Sequence, residues 1–469
     1  MIFTDPVFLA FFVPVLAAYW LLRGDRARKL LLLLSSYVFY GSWDWRFLGL
    51  LLFTTATDYT AGLLMARAGT QRARRAGLSL SVLGNLGVLF FFKYWDFFVT
   101  SGVQLLDVFG VRASPATLQL VLPVGLSFYT FQSLGYALDV YWKRVPAERD
   151  PFDFALFVAF FPQLVAGPIS RAGDLLPQIR TPRRWADVDV RAALILFLTG
   201  FVKKACIADH FAAWVDTYWN DPAAYGPGAA WAAWIAYAIQ FYCDFSGYSD
   251  MALGSAALLG YRLPLNFAHP YLAGNIAEFW SRWHITLSSW FRDYVLVPLS
   301  MMGRGTTARI YAKVLLTMLL VGLWHGAAWH FVLWGGVLGV LLLLHREWAL
   351  RAARHPALAA AGRALGVPLT FTCVTTAAVL FRAPDLAQTW LHLRALAGVH
   401  DGAGGLVPPV FWPLVAALAL AHLVTFRGWL RPALRALPAP AFAFGYGLLA
   451  SLVPPFMAAN RAPFLYFQF

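Results

Sequence analysis

Charge is scarce in this chain. Only 13% of its 469 residues are Asp, Glu, Lys or Arg, against about a quarter in soluble domains. No polar stretch is long enough to build a water-soluble domain, so none is expected. Cysteine is nearly absent. Cys206, Cys243 and Cys373 form no CxxC pair and lie in or beside apolar runs, which argues against a disulfide framework and a cysteine metal site. There is no Walker motif, no GxSxG elbow and no GxGxxG followed by an acidic residue. Those gaps argue against P-loop hydrolysis, elbow-type serine hydrolysis and dinucleotide binding. The ten histidines do not read as metal ligands either. His325 and His330 are five apart, about 140° around a helix, where a zinc pair of the HExxH type needs four. His345 with Glu347 reads as interfacial. No metal is expected. Met1-Ile2-Phe3-Thr4-Asp5 lacks the basic start of a cleavable signal peptide.

What the chain has is hydrophobicity. It is 60% apolar and 17% aromatic, with 20 Trp and 39 Phe. That composition predicts an all-α, polytopic transmembrane helical bundle. Thirteen apolar segments run from Pro6–Leu22 to Phe442–Pro454. Several fall short of the ~20 residues that cross a bilayer. We therefore expect ten to twelve spans, with short or re-entrant helices forming a central funnel. Residues 1–469 read as one membrane domain. Within it lie N-terminal helices over 1–240, a polar core over 241–345 and C-terminal helices over 346–469.

The net charge of +14 sits in short loops such as Arg23–Lys29 and Arg67–Arg75. This is the positive-inside pattern, with attraction to anionic membrane lipids, and not a nucleic-acid surface. It places the N-terminus outside and both loops in the cytoplasm. The same charges could meet a phosphate-bearing cytoplasmic ligand. Gly335-Gly336-Val337-Leu338-Gly339 has the GxxxG spacing of close helix packing. Arg382, Asp385 and the His400–Gly405 loop read only as a solvated connection.

Polar residues concentrate in the middle of the chain. Asp244 and Asp250 stand among aromatics in Tyr242–Asp250, and two prolines break Leu263–Tyr271. In Glu278–Pro298, Trp280, Trp283, Leu287 and Trp290 recur at helical spacing, predicting one aromatic helix face. Arg282, Arg292 and Asp293 lie off that face. Two histidines each follow a tryptophan: Trp283-His284 and Trp324-His325. A titratable imidazole at membrane depth is costly unless it faces a cavity or a partner, so each is a functional candidate.

These segments, taken in order, resemble the membrane-bound O-acyltransferases. The carriers are Phe279-Trp280-Ser281-Arg282-Trp283-His284-Ile285-Thr286-Leu287-Ser288, Trp290-Phe291-Arg292-Asp293-Tyr294 and Gly322-Leu323-Trp324-His325-Gly326 with Trp329. Pro123–Gln132, Phe161–Ile169, Asp244–Asp250 and the aromatic terminus Phe464–Phe469 are similar to the bacterial alginate O-acetyltransferase membrane-subunit branch. Ala328, His330 and Asn275 depart from the commoner pattern, which bears on acyl or acceptor preference and leaves the reaction class intact.

The resemblance implies acyl transfer from cytoplasmic acetyl-CoA toward an exported or envelope polysaccharide such as alginate. It implies no permanently bound cofactor, a separate periplasmic esterase-fold partner and location in the bacterial cytoplasmic membrane. It makes His325 the general base, a role that suits imidazole because its unperturbed pKa of about 6.5 lies near working pH. It makes His284 the residue that orients the acceptor or the carbonyl, or stabilises the oxyanion. Substrate contacts are expected from Trp324, Trp283, Arg282, Asp244, Ser246, Tyr248, Asn266 and Trp329. Two other readings use the same residues. One is D-alanyl transfer to teichoic acid from a carrier-protein thioester. The other is a proton-coupled saccharide transporter, which predicts inverted repeats; the halves show no convincing one.

Overall fold

The computed structural model describes residues 1–303, 305–400, 402, 404–405, 407–458 and 464–465. Of the terminal aromatic motif, residues 466–469 lie outside it, as do two positions of the 400–405 loop. Among the described residues the chain is all-helical, with a lone bridge between Tyr225 and Gly404 and no strand.

The N-terminal part carries α1 (Pro6–Leu21), α2 (Asp25–Gly41), α3 (Leu48–Arg67) and α4 (Gln71–Leu89). A π-helical stretch, Phe90–Tyr94, joins α4 to α5 (Trp95–Val108). The next apolar run was expected from Leu118. Its helix α6 (Leu126–Tyr141) starts only after Pro123 and Gly125. Gly125 caps it at φ +76°, a conformation that a side chain would strain. Short helices α7 (Pro151–Ala159), α8 (Phe161–Leu164) and α9 (Ala172–Arg180) follow. Pro162 and the prolines around them stop any one from crossing alone. Helices α10 (Val190–Phe201) and α11 (Asp209–Asn220) lead to α12 (Pro227–Leu258), which runs through the centre. Most of α12 is buried in protein, Asp244 with it, and Asp250 pairs with Lys203 at 2.7 Å.

The expected aromatic face over Glu278–Pro298 is interrupted. His284 adopts φ +42° and divides it into α13 (Ile276–Arg282) and α14 (Ile285–Phe291). A π-helical turn, Arg292–Leu296, then joins α15 (Val297–Met301). The apolar run Ile310–Leu344 is likewise two helices, α16 (Thr307–His325) and α17 (Trp329–Ala352), broken at Gly326. The chain continues through α18 (Pro356–Arg382), α19 (Leu386–Leu396), α20 (Phe411–Arg427), α21 (Leu430–Ala436) and α22 (Ala439–Leu452).

Among the described residues six helices are long and apolar enough to cross a membrane: Trp45–Arg67, Gln71–Val108, α16, α17, α18 and Ala439–Phe456. The ten to twelve of the sequence reading counted shorter or more polar runs as well. In lipid, helices gain little from hydrophobic burial against each other, so close approach and dispersion carry the packing. α16 and α17 show this. A methyl group on Gly335 would stand 3.1 Å from Gly322 Cα, so the glycines let the two backbones touch.

The basic loops gather at one end of the bundle. Arg28 donates to Arg183 O at 2.9 Å, Tyr59 to Arg149 O at 2.6 Å, Arg74 to Tyr141 O at 2.7 Å and Gln178 to Arg262 O at 2.9 Å. That clustering follows from the sequence charge pattern.

Candidate active site

His325 is the last residue of α16 and is 3% exposed. The final carbonyls of a helix have no partner within it and carry partial negative charge. Here Lys93, from the π-helical stretch, reaches across and caps them. Its Nζ donates to Trp324 O at 2.6 Å and His325 O at 3.3 Å. Tyr94 donates its hydroxyl to Leu323 O at 3.1 Å. A cation at this end of a helix is favourable, and the cap holds the chain that presents the imidazole. Around the His325 ring stand Trp324, Trp334 and Phe381, at centroid distances of 4.9, 5.0 and 5.3 Å.

His284 is fully buried and sits at the break between α13 and α14. Its Nδ1 lies 3.1 Å from Asn266 Oδ1. The same oxygen accepts from Thr286 Oγ1 at 3.0 Å, while Asn266 Nδ2 donates to Ser249 Oγ at 3.3 Å. This network assigns the oxygen of the amide to the histidine side, so Nδ1 carries the proton and Nε2 is the acceptor. Backbone bonds hold Asn266 itself: Ile285 N donates to Asn266 O at 2.9 Å. Ile169 N donates to Thr286 Oγ1 at 3.1 Å, tying in the α8–α9 connection.

The Trp324 indole contacts both imidazoles, at 4.9 Å from His325 and 5.8 Å from His284. Phe128 and Phe131 of α6 back it at 5.4 and 5.8 Å. Two histidines forty-one positions apart in sequence thus flank one aromatic wall in a water-poor interior. One has a defined acceptor nitrogen. Such a pair can take a proton from a hydroxyl and hold that hydroxyl in line for attack on a carbonyl.

The expected substrate residues separate into groups. Trp324 and Asn266 belong to the histidine pair. Trp283 is 2% exposed and lines an apolar cleft with Phe241, Phe279, Trp334 and Val374. Trp334 joins that cleft to His325. Asp244 turns away. It pairs with Lys204 at 2.7 Å and accepts from Leu465 N at 2.9 Å, and Lys204 also holds Asp209 at 2.7 Å. Tyr248 packs between Phe3 at 4.7 Å and Phe464 at 4.9 Å. Ser246 is buried in the same helix. These three support the site from behind Phe245, whose ring meets His284 at 4.7 Å. Arg282 pairs with Glu278 at 2.5 Å and lies over Phe426 of α20. Trp329 is 60% exposed and donates to Ser101 Oγ at 3.1 Å. Neither of these last two touches the histidine pair.

Sequence reasoning passed over Lys93 and did not foresee that Asn266 holds His284. Lys93 fell between two apolar segments. Its signal was a lone ammonium at membrane depth in Phe92-Lys93-Tyr94. Among the described residues no three His, Cys, Asp or Glu side chains gather where they could hold a metal.

Comparison with known proteins bears on the family of this chain. Residues 145–374 match the membrane-bound O-acyltransferase family. The chain is 42% identical over 405 residues to a probable alginate O-acetylase of Azotobacter vinelandii, covering 86% of this chain and 79% of that protein. It is also 42% identical over 400 residues to a probable alginate O-acetylase of Pseudomonas aeruginosa, covering 84% and 75%. It is 32% identical over 432 residues to a peptidoglycan O-acetyltransferase of Helicobacter pylori, covering 85% and 80%.

Proposed function

The chain belongs to the membrane-bound O-acyltransferase family, and on that premise we propose that it moves an acetyl group from cytoplasmic acetyl-CoA to an exported or cell-envelope polysaccharide such as alginate. The observation that carries this is the His284–Trp324–His325 arrangement. In the proposed step an acceptor hydroxyl attacks the thioester carbonyl. His325 takes the hydroxyl proton as the C–O bond forms. The C–S bond breaks, and the thiolate recovers a proton to leave as the free thiol. His284, with Nδ1 protonated on Asn266, offers Nε2 to a neighbouring hydroxyl of the acceptor and so aligns the attacking one.

A cluster at the basic end supports a phosphate-bearing donor. Arg144 lies over Trp142 at 4.5 Å and Arg171 over Tyr294 at 4.3 Å, with Trp142 and Tyr294 stacked at 5.8 Å. Arg292 joins through Asp293 at 2.8 Å. Guanidinium groups beside aromatic faces suit phosphates and a purine. From His284 to Tyr294 the chain rises about 15 Å at helical pitch, a span that the extended pantetheine arm can cover.

The basic end then faces the cytoplasm, and the protein is a multi-pass component of the bacterial cytoplasmic membrane. Buried helices such as α6 and α12, with the short apolar α1 and α20, would bring the crossings to ten to twelve. A separate periplasmic esterase-fold protein would complete transfer to the polymer. The test is base-labile ester acetate in fractionated envelope and exported polysaccharide, native cells against His325→Ala at matched protein level. Loss from one fraction identifies the acceptor. Unchanged acetate in every fraction refutes acetyl transfer, and loss of D-alanyl ester from the wall would replace it with the teichoic-acid reading.

A further inference from the structure

On one side His325 meets a closed group of rings. Its centroid lies 5.0 Å from that of Trp334 and 5.3 Å from that of Phe381, and Trp334 and Phe381 are 5.2 Å apart. Trp334 is buried and Phe381 fully so. Rings in mutual contact at these distances leave no passage between them.

Behind that contact there is empty space. The apolar cleft between α12, α13, α17 and α18 has an empty volume of about 340 Å³, its mouth included. His325 is not among its lining residues. Trp334 is: one indole faces the imidazole and also walls the cleft. Phe381 backs the same wall, with its ring 5.1 Å from Phe241 of the cleft.

The lining suits hydrocarbon. Its two hydroxyls belong to Tyr271 and Thr375, and both are engaged with backbone. Tyr271 donates to Ala238 O at 2.8 Å and Thr375 to Phe371 O at 2.6 Å. The remaining surface is aromatic ring and aliphatic side chain, which favours a methylene chain over the polar amides of a pantetheine arm.

The wall does not open by a shift of α17. Gly335 follows Trp334, and a methyl group on it would stand 3.0 Å from Gly322 N of α16. The two backbones are in contact there, so the route from His325 into the cleft is blocked by the Trp334 side chain itself.

We propose that Trp334 sets the length of the acyl group. It confines the acyl chain at His325 to about acetyl size by closing off a cleft that otherwise seats a longer chain. This rests on the acyl-transfer reading and adds the residue that decides which thioesters are accepted. Each methylene buried in the cleft strengthens binding by about fourfold, so removing the indole turns the preference toward longer chains.

The test is equilibrium binding of S-ethyl- and S-hexyl-coenzyme A to the full chain in nanodiscs, with empty nanodiscs as the blank. These thioethers cannot transfer an acyl group. The native protein is expected to prefer the ethyl compound by about tenfold or more, the usual cost of an alkyl group that does not fit. Trp334→Ala raises the hexyl-to-ethyl ratio by about tenfold or more, which two seated methylenes already supply. Trp334→Phe moves the ratio the same way by less, and decides the matter if the alanine variant does not fold. Adding Ala378→Phe to either variant refills the cleft and reverses the gain. Only the ratio is read, so a general loss of folded protein cancels. Equal or tighter hexyl binding by the native protein, a ratio unmoved by both Trp334 variants, or failure of both compounds to bind overturns the proposal. The acetate measurement reads transfer and this one reads binding alone, so either can fail without the other.

Discussion

Removing the Asn266 amide tests the assignment of His284 most sharply. Asn266→Ala deletes the acceptor at 3.1 Å from His284 Nδ1, the acceptor at 3.0 Å from Thr286 Oγ1 and the donor at 3.3 Å from Ser249. A buried neutral hydrogen bond contributes about 1 kcal/mol net, so these bonds together cost about 2–4 kcal/mol of stability. The catalytic effect is separate. About 1 kcal/mol no longer favours the Nδ1–H tautomer, so its population falls roughly fivefold relative to the other. Loss of ring orientation adds to this, and kcat is expected to drop by about ten- to a hundredfold. Ser249→Ala removes only the outermost bond and should change kcat by less than about twofold. The assay is thiol release from a thioester by purified protein in nanodiscs, at matched folded protein judged by melting temperature. If Asn266→Ala keeps kcat within twofold of the native value while folded, the tautomer argument is wrong. If Ser249→Ala falls as far as Asn266→Ala, the effect is packing and not proton placement.

Lys93→Met should lower both melting temperature and kcat, because the carbonyls of Trp324 and His325 lose their charged cap; about 1.5–3 kcal/mol is at stake. Lys93→Arg tests whether charge alone suffices, and turnover equal to native in Lys93→Met would show that the cap does not hold His325. Gly335→Val should sharply reduce folded protein, since a Cβ there meets Gly322 Cα at 3.1 Å; normal yield by size-exclusion chromatography would contradict the close α16–α17 contact. Trp329→Ala should leave turnover within about twofold, as surface changes usually do. A large loss would return Trp329, now placed at the surface beside Ser101, to the substrate path.

Individual residues show where the sequence was readable. The GxxxG at Gly335 read correctly as close packing, because small residues at that spacing have one main use between membrane helices. For Asp244 and Tyr248 the resemblance implies substrate contact, while the structure shows each held by the fold. Their partners, Lys204 and Phe464, are remote in sequence and left no local trace. The Trp280–Trp290 stripe was periodic, but periodicity does not report that one residue within it, His284, takes a left-handed conformation.

The sequence by itself determined the solvent, the all-helical class and the two histidines, because scarce charge, long apolar runs and titratable groups among them are local properties. Which end gathers the basic loops also follows from charge placement. Only the tertiary structure decided that His284 and His325 share one indole, that Asn266 orients the first and that Lys93 caps the helix carrying the second. Those depend on distances between segments up to 232 residues apart, and such distances are set by packing of whole helices, which no local pattern records.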